Sequence, residues 1–225
     1  MEAAEDQASV GVFDRRETDQ PLIARGTYNL LIGATLCWGF GLNWWMVQNI
    51  PPETPLAWGF WPFIIGYFIC CMTGVALFQG SDQPLISFLG YNLVVVPFGL
   101  VVNVVVSQYD PSLVVEAMKV TGLITIIMMS FGSLFPTFFL GLGRILFISL
   151  LAMIIVELLA IFVFDWDRNL IDWIVAGIFC GYIGYDWARA QRIPSTLDNA
   201  IDSAASIYMD IINLFLRILR IMGRR

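Results

Sequence analysis

Seven stretches of the chain are nearly free of charge and are separated by short polar breaks. They run over roughly 28–50, 56–78, 85–107, 112–132, 138–164, 169–191 and 200–221. A helix needs about 20 residues to cross about 30 Å of hydrocarbon, so each run predicts one membrane crossing. The breaks are NIPPETP, FQGSDQP, QYDPS, LFPTF, DWDRN and QRIPSTLD. Most of them hold a proline, and Asp110 before Pro111 predicts a capped helix start. Connections this short make neighbouring helices antiparallel. The expected fold is therefore an all-α integral membrane bundle of seven helices.

Six of the runs are plainly apolar, and the seventh is not. On a helix, Asp202, Ser206, Asp210, Asn213 and Arg217 share one face, while Ile207, Ile211, Leu214 and Ile218 share the opposite one. Such a helix either lies at the membrane surface with its polar face in water, or stands in the middle of the bundle with that face lining a cavity. Its central placement is the expectation carried forward.

Composition strengthens the membrane reading. The chain of 225 residues is 58% hydrophobic and 13% charged, against about 25% charged in soluble domains. Residues 1–27 read as a disordered acidic tail and 28–225 as one membrane domain. The tail lacks a basic segment leading into a short apolar stretch, so the first span is expected to act as an uncleaved insertion signal. The net charge of −6 implies no nucleic-acid partner.

Arginine placement bears on topology. With a cytoplasmic N-terminus and seven crossings, Arg15, Arg16, Arg25, Arg144, Arg189 and Arg192 lie inside, whereas Arg168, Arg217, Arg220, Arg224 and Arg225 lie outside. If the last segment enters and returns, the final four move inside, which suits the positive-inside rule better. The basic end, with Arg217, Arg220, Arg224 and Arg225, is expected to face lipid headgroups.

Few ionisable groups remain within the runs. Glu116 and Lys119 are three apart on one helical face and can neutralise each other. Glu157 has no such neighbour; it is either protonated or turned toward the interior as part of a cation path. Trp44, Trp45, Trp58, Trp61, Trp166 and Trp173 cluster near run ends, as an interfacial belt does. Cys37, Cys70, Cys71 and Cys180 lack metal or disulfide spacing and read as small buried side chains. The chain has no histidine, so proton sensing falls to carboxylates.

The chemistry concentrates on Asp186 and Asp210. One lies near the end of the sixth run and the other near the middle of the seventh, and a short break lets both reach a similar depth. Two facing carboxylates in a low dielectric hold one proton between them and titrate as a pair. Their oxygens also suit a hard cation such as Ca²⁺. The plainer alternative is two aspartates each satisfied by backbone or water at a helix end.

Four stretches then resemble one known family. YNLLIGATLCWGFGLN at 28–43, MMSFGSLFP at 128–136, IDWIVAGIFCGYIGYDWARAQ at 171–191 and SIYMDIINLFLRILRIMGRR at 206–225 are similar to the transmembrane Bax inhibitor motif family, in its bacterial branch. Tyr185-Asp186 matches its sixth-span pair, and Tyr208, Asp210, Asn213, Leu214 and Phe215 match its closing helix. The resemblance implies six helices around a central seventh and a pH-sensitive calcium leak, gated by a di-aspartyl sensor at Asp186 and Asp210. It implies no enzyme activity and no cofactor; Ca²⁺ is cargo and membrane lipid is the partner, in a bacterial plasma membrane. Asp202, Ser206, Asn213, Glu157 and Glu116 are the expected path groups. A member of the family carries a second-span Arg that latches the sixth-span Asp, but residues 56–118 hold no Lys or Arg. Either that latch is absent here, or another cation, such as Lys119, replaces it.

Two other classes stay in view. A non-conducting stress-response or anti-cell-death scaffold would use its cytoplasmic ends to bind partners. An intramembrane aspartyl protease also places one Asp on each of two successive helices, but needs Gly-x-Gly-Asp where this chain reads IYMD. A light-driven pump would need a Lys on the seventh helix, and Lys119 is the only Lys.

Overall fold

The structure, a computed structural model, describes residues 20–162 and 168–224. The helices are α1 Arg25–Asn49, α2 Phe60–Gly80, α3 Pro84–Val106, α4 Pro111–Leu134, α5 Pro136–Gly141, α6 Gly143–Phe162, α7 Arg168–Ala190 and α8 Leu197–Met222, with a 3-10 turn at Pro55–Trp58. Five of them are long and apolar enough to cross a membrane: α1, α2, α3, α4 and Gly143–Ala160 within α6. α7 and α8 fall outside that group because they carry the buried charges. Such charges are tolerable where a helix faces protein instead of lipid.

α8 is the centre of the bundle. It packs against α1, α3, α4 and α7 and touches α2, and both of its faces are covered. Ile207, Ile211, Leu214 and Ile218 are buried on one side, and Ser206 and Asp210 on the other. Ala200, Ser203, Ala204 and Ala205 are buried too, and their small side chains let the neighbouring backbones come close. α8 is a single unbroken helix of 26 residues, about 39 Å long at 1.5 Å per residue. The chain does not turn back along that length.

Glycines set the approach of the helices that carry the site. A Cβ at Gly132 on α4 would stand 2.6 Å from the Gly184 carbonyl oxygen on α7, a distance that would force the helices apart. Gly184 is two residues before Asp186, so this α4–α7 contact fixes the height and direction of that carboxylate. Gly143, at the start of α6, leaves room for the Tyr185 ring in the same way, with 2.8 Å from a hypothetical Cβ to Cε2.

Several local expectations are corrected. The predicted fifth span, 138–164, is divided into α5 and α6 at Leu142; Pro136 starts a short helix and Gly141 and Gly143 weaken its continuation. Residues 163–167, with Trp166, lie outside the described residues, as do 1–19, which make up most of the predicted tail. The helical part begins earlier than expected, at Arg25. Asp110 occupies the capping position of α4, but its side chain makes no capping hydrogen bond. None of the four cysteines is fully buried, and Cys37 is exposed. Trp44, Trp45, Trp61 and Trp173 are exposed, as groups at an interfacial belt are.

Candidate functional site

The loop between α7 and α8 is anchored before the site begins. Thr196 caps α8 by accepting from the Asn199 amide at 3.1 Å. Asp198, in the first turn, accepts from Ser87 Oγ at 2.7 Å, where a carboxylate also meets the positive end of the helix. The start of α1 closes over this turn. Arg25 donates to the Gln191 carbonyl at 2.6 Å and the Ala190 carbonyl at 3.3 Å, capping the end of α7. The Tyr28 hydroxyl lies 3.1 Å from Ser203 Oγ and donates to the Asn199 carbonyl at 3.3 Å.

Within this frame Asp186 and Asp210 meet. Both are 7% exposed, and their carboxyl groups lie side by side. A carboxylate can only accept, so two of them bond directly only with a proton on one. Asp210 Oδ2 is buried and has no hydrogen-bond partner among the described residues. Arg189 stands beside the pair, with Nη2 3.6 Å from Asp186 Oδ1, and donates to Ser206 Oγ on α8 at 3.2 Å.

The expected latch is corrected: Lys119 is exposed on α4, and Arg189 is the cation at the aspartates. Glu116 is exposed as well and lines a cleft of about 360 Å³ with Asp110, Ser112, Leu113, Met222 and Gly223, away from the pair. Of the predicted path groups, Ser206 lies at the site. Asp202 lies one turn nearer the start of α8, within electrostatic reach of Tyr28. Asn213 folds back to donate to the Met209 carbonyl at 2.7 Å.

Glu157 is not alone either. It forms a two-pronged pair with Arg217, whose Nη2 donates to Oε2 at 2.9 Å and whose Nη1 meets Oε1. Arg217 Nη1 also donates to Asp172 Oδ1 at 2.8 Å, and Arg220 Nη1 to the same oxygen at 3.1 Å. Arg224 Nη2 stands 2.9 Å from Asp172 Oδ2 but off the angle of a hydrogen bond, so it contributes charge attraction alone. Asp172 is fully buried. The arginines expected against lipid headgroups thus face two carboxylates inside the protein; Arg225 lies outside the described residues.

Asp172 and Arg189 were missed as site residues, although both leave a trace in the chain. Asp172 precedes Asp186 by 14 residues, close to four turns of helix, so both lie on one face of α7. Arg189 follows Asp186 by three, a spacing at which side chains meet.

No group of three or more His, Cys, Asp or Glu side chains placed to hold a metal occurs among the described residues. Ca²⁺ takes 6–8 oxygens. The carboxyls of Asp186 and Asp210 together offer fewer than that.

A buried carboxyl pair between α7 and the central α8, within a bundle of long apolar helices, defines an integral membrane protein with an ionisable interior. The family described as "Inhibitor of apoptosis-promoting Bax1" matches residues 20–225, and the chain belongs to that Bax inhibitor-1 family. Bax inhibitor 1 of Schizosaccharomyces pombe is 28% identical over 167 residues, 72% of this chain and 62% of that protein. An uncharacterized membrane protein of Vibrio cholerae is 30% identical over 114 residues, half of each chain. An uncharacterized protein of Helicobacter pylori is 31% identical over 87 residues, 37% of this chain and 36% of that one. The chain thus spans less than two thirds of the length of these relatives.

Proposed function

We propose that this protein is a pH-sensitive calcium leak channel, with Asp186 and Asp210 as gate and proton sensor. In this reading α1, α2, α3, α4, α6, α7 and α8 make seven crossings of a bacterial plasma membrane, with the N-terminus in the cytoplasm. The chain is not an enzyme and carries no cofactor; Ca²⁺ is its cargo.

The observation that supports this most is the pair of facing, buried carboxyls at the α7–α8 contact. With its proton, the pair carries one negative charge matched by Arg189. When the proton leaves, two carboxylates compete for one guanidinium, and their repulsion acts directly on the central helix. A carboxylate pair in excess of its counter-charge also attracts a divalent cation.

The test is reconstitution of the full chain in liposomes that enclose a Ca²⁺ indicator, with outside pH stepped across neutrality. Ca²⁺ entry that changes with pH is the expected result. Entry without pH dependence removes the sensor role of the pair, and no entry above protein-free liposomes removes the channel reading in favour of a scaffold.

A further inference from the structure

Arg189 joins the two helices at the carboxyl pair. It lies one turn beyond Asp186 on α7, and its Nη2 reaches both Asp186 Oδ1 at 3.6 Å and Ser206 Oγ at 3.2 Å. Ser206 is itself one turn before Asp210 on α8. The Arg189 side chain is 15% exposed, so water screens its charge far less than at a surface.

Other charged groups leave that position to Arg189. On α8 the neighbours are Asp210 and Asp202, and on α7 they are Tyr182 and Tyr185. On α1, Arg25 and Tyr28 are near, but Arg25 is engaged with the last carbonyls of α7. α3 and α5 hold no charged residue. Glu116 and Lys119 on α4 and Arg144 on α6 are exposed, and Glu157 is taken by Arg217.

We propose that Arg189 is the positioning residue of the sensor: it holds one carboxylate of the pair charged and pins α7 to α8 through Ser206. The proposal rests on the pair acting as the proton sensor, and it states what sets the pH at which the sensor responds. A cation in contact with the pair favours the deprotonated form. Its removal therefore moves loss of the proton to higher pH, by about one pH unit for a partly buried neighbour. The planar fork also matters: a lysine at 189 keeps the charge but is a compact donor on a different stem.

Infrared titration of the carboxyl C=O band tests this on the purified full chain in detergent, with Asp186→Asn and Asp210→Asn identifying the band. Arg189→Gln is expected to move the midpoint by about one unit to higher pH. Arg189→Lys should recover most of that, and Ser206→Ala should shift it less, in the same direction. A role in packing alone would lower the melting temperature and leave the midpoint in place. Unchanged midpoints in Arg189→Gln and Ser206→Ala would overturn the proposal; if Arg189→Gln does not fold, Ser206→Ala and Arg189→Lys decide it. The band needs no Ca²⁺ flux, so a wild type that titrates normally but passes no Ca²⁺ sinks the channel reading and leaves the role of Arg189 standing.

Discussion

The two ends of the α7–α8 pair solve the same problem by different means. At one end Asp186 and Asp210 have a single guanidinium, Arg189, beside them, one cation for two carboxyls. At the other, Asp172 and Glu157 meet Arg217, Arg220 and Arg224, so every carboxylate has a cation. Guanidinium groups keep their charge across the physiological range. On the proposed function one end is open to change by pH, while the other fastens α6, α7 and α8 together.

The comparison breaks most easily at the fastening. Asp172→Asn leaves Arg217 facing Glu157 alone and removes the charge that Arg220 and Arg224 answer. Removing one partner of a buried pair costs roughly 3–5 kcal/mol, and the lower end applies here because Arg220 is 40% exposed and can regain water. Thermal unfolding in detergent should show a clear fall in midpoint while the carboxyl titration of the Asp186–Asp210 pair stays in place. A titration that moves with Asp172→Asn would mean the two ends act as one unit.

A double-mutant cycle sharpens the other half. Asp186→Asn and Asp210→Asn should each abolish most of the pH response near neutrality, and the double variant should add little, because either change ends the sharing of a proton. The readout is the apparent midpoint of Ca²⁺ flux or of the carboxyl band. Shifts that sum in the double variant would show two separate sites.

The smallest effect belongs to Glu157→Gln. The amide keeps one acceptor for Arg217 and loses the charge, and with the side chain 27% exposed the cost should be about 1 kcal/mol. Melting should fall slightly, with flux and its pH profile unchanged. An altered flux profile would return Glu157 to the cation path and blur the division between the two ends.

These regions also differ in how far the chain reveals them. The stripe Asp202, Ser206, Asp210, Asn213 and Arg217 is readable because helical period places residues on a face whatever lies opposite. Who lies opposite is a tertiary matter, which is why Arg217 reads equally well as a lipid contact or as the partner of Glu157, 60 residues earlier. Lys119, named as one possible substitute for the latch, is exposed on α4, because the rotation of a helix about its axis is also a tertiary matter. The arginine count that bears on the last crossing meets the same limit. It treats as unpaired the charges that Asp172 and Glu157 answer. The break between α5 and α6 was hidden by continuous hydrophobicity, in which two glycines and a proline weigh little.

The closure of α1 over the α7–α8 turn bears on how the chain reaches this state. Tyr28 bonds across 175 positions to Ser203, and Arg25 across 165 to Ala190. These contacts of α1 thus form only once α7 and the first turns of α8 have been made. Contacts so distant in sequence must bear the entropy of closing nearly the whole chain before they contribute anything. Closure of α1 over the α7–α8 turn is consequently a late event in the assembly of this bundle.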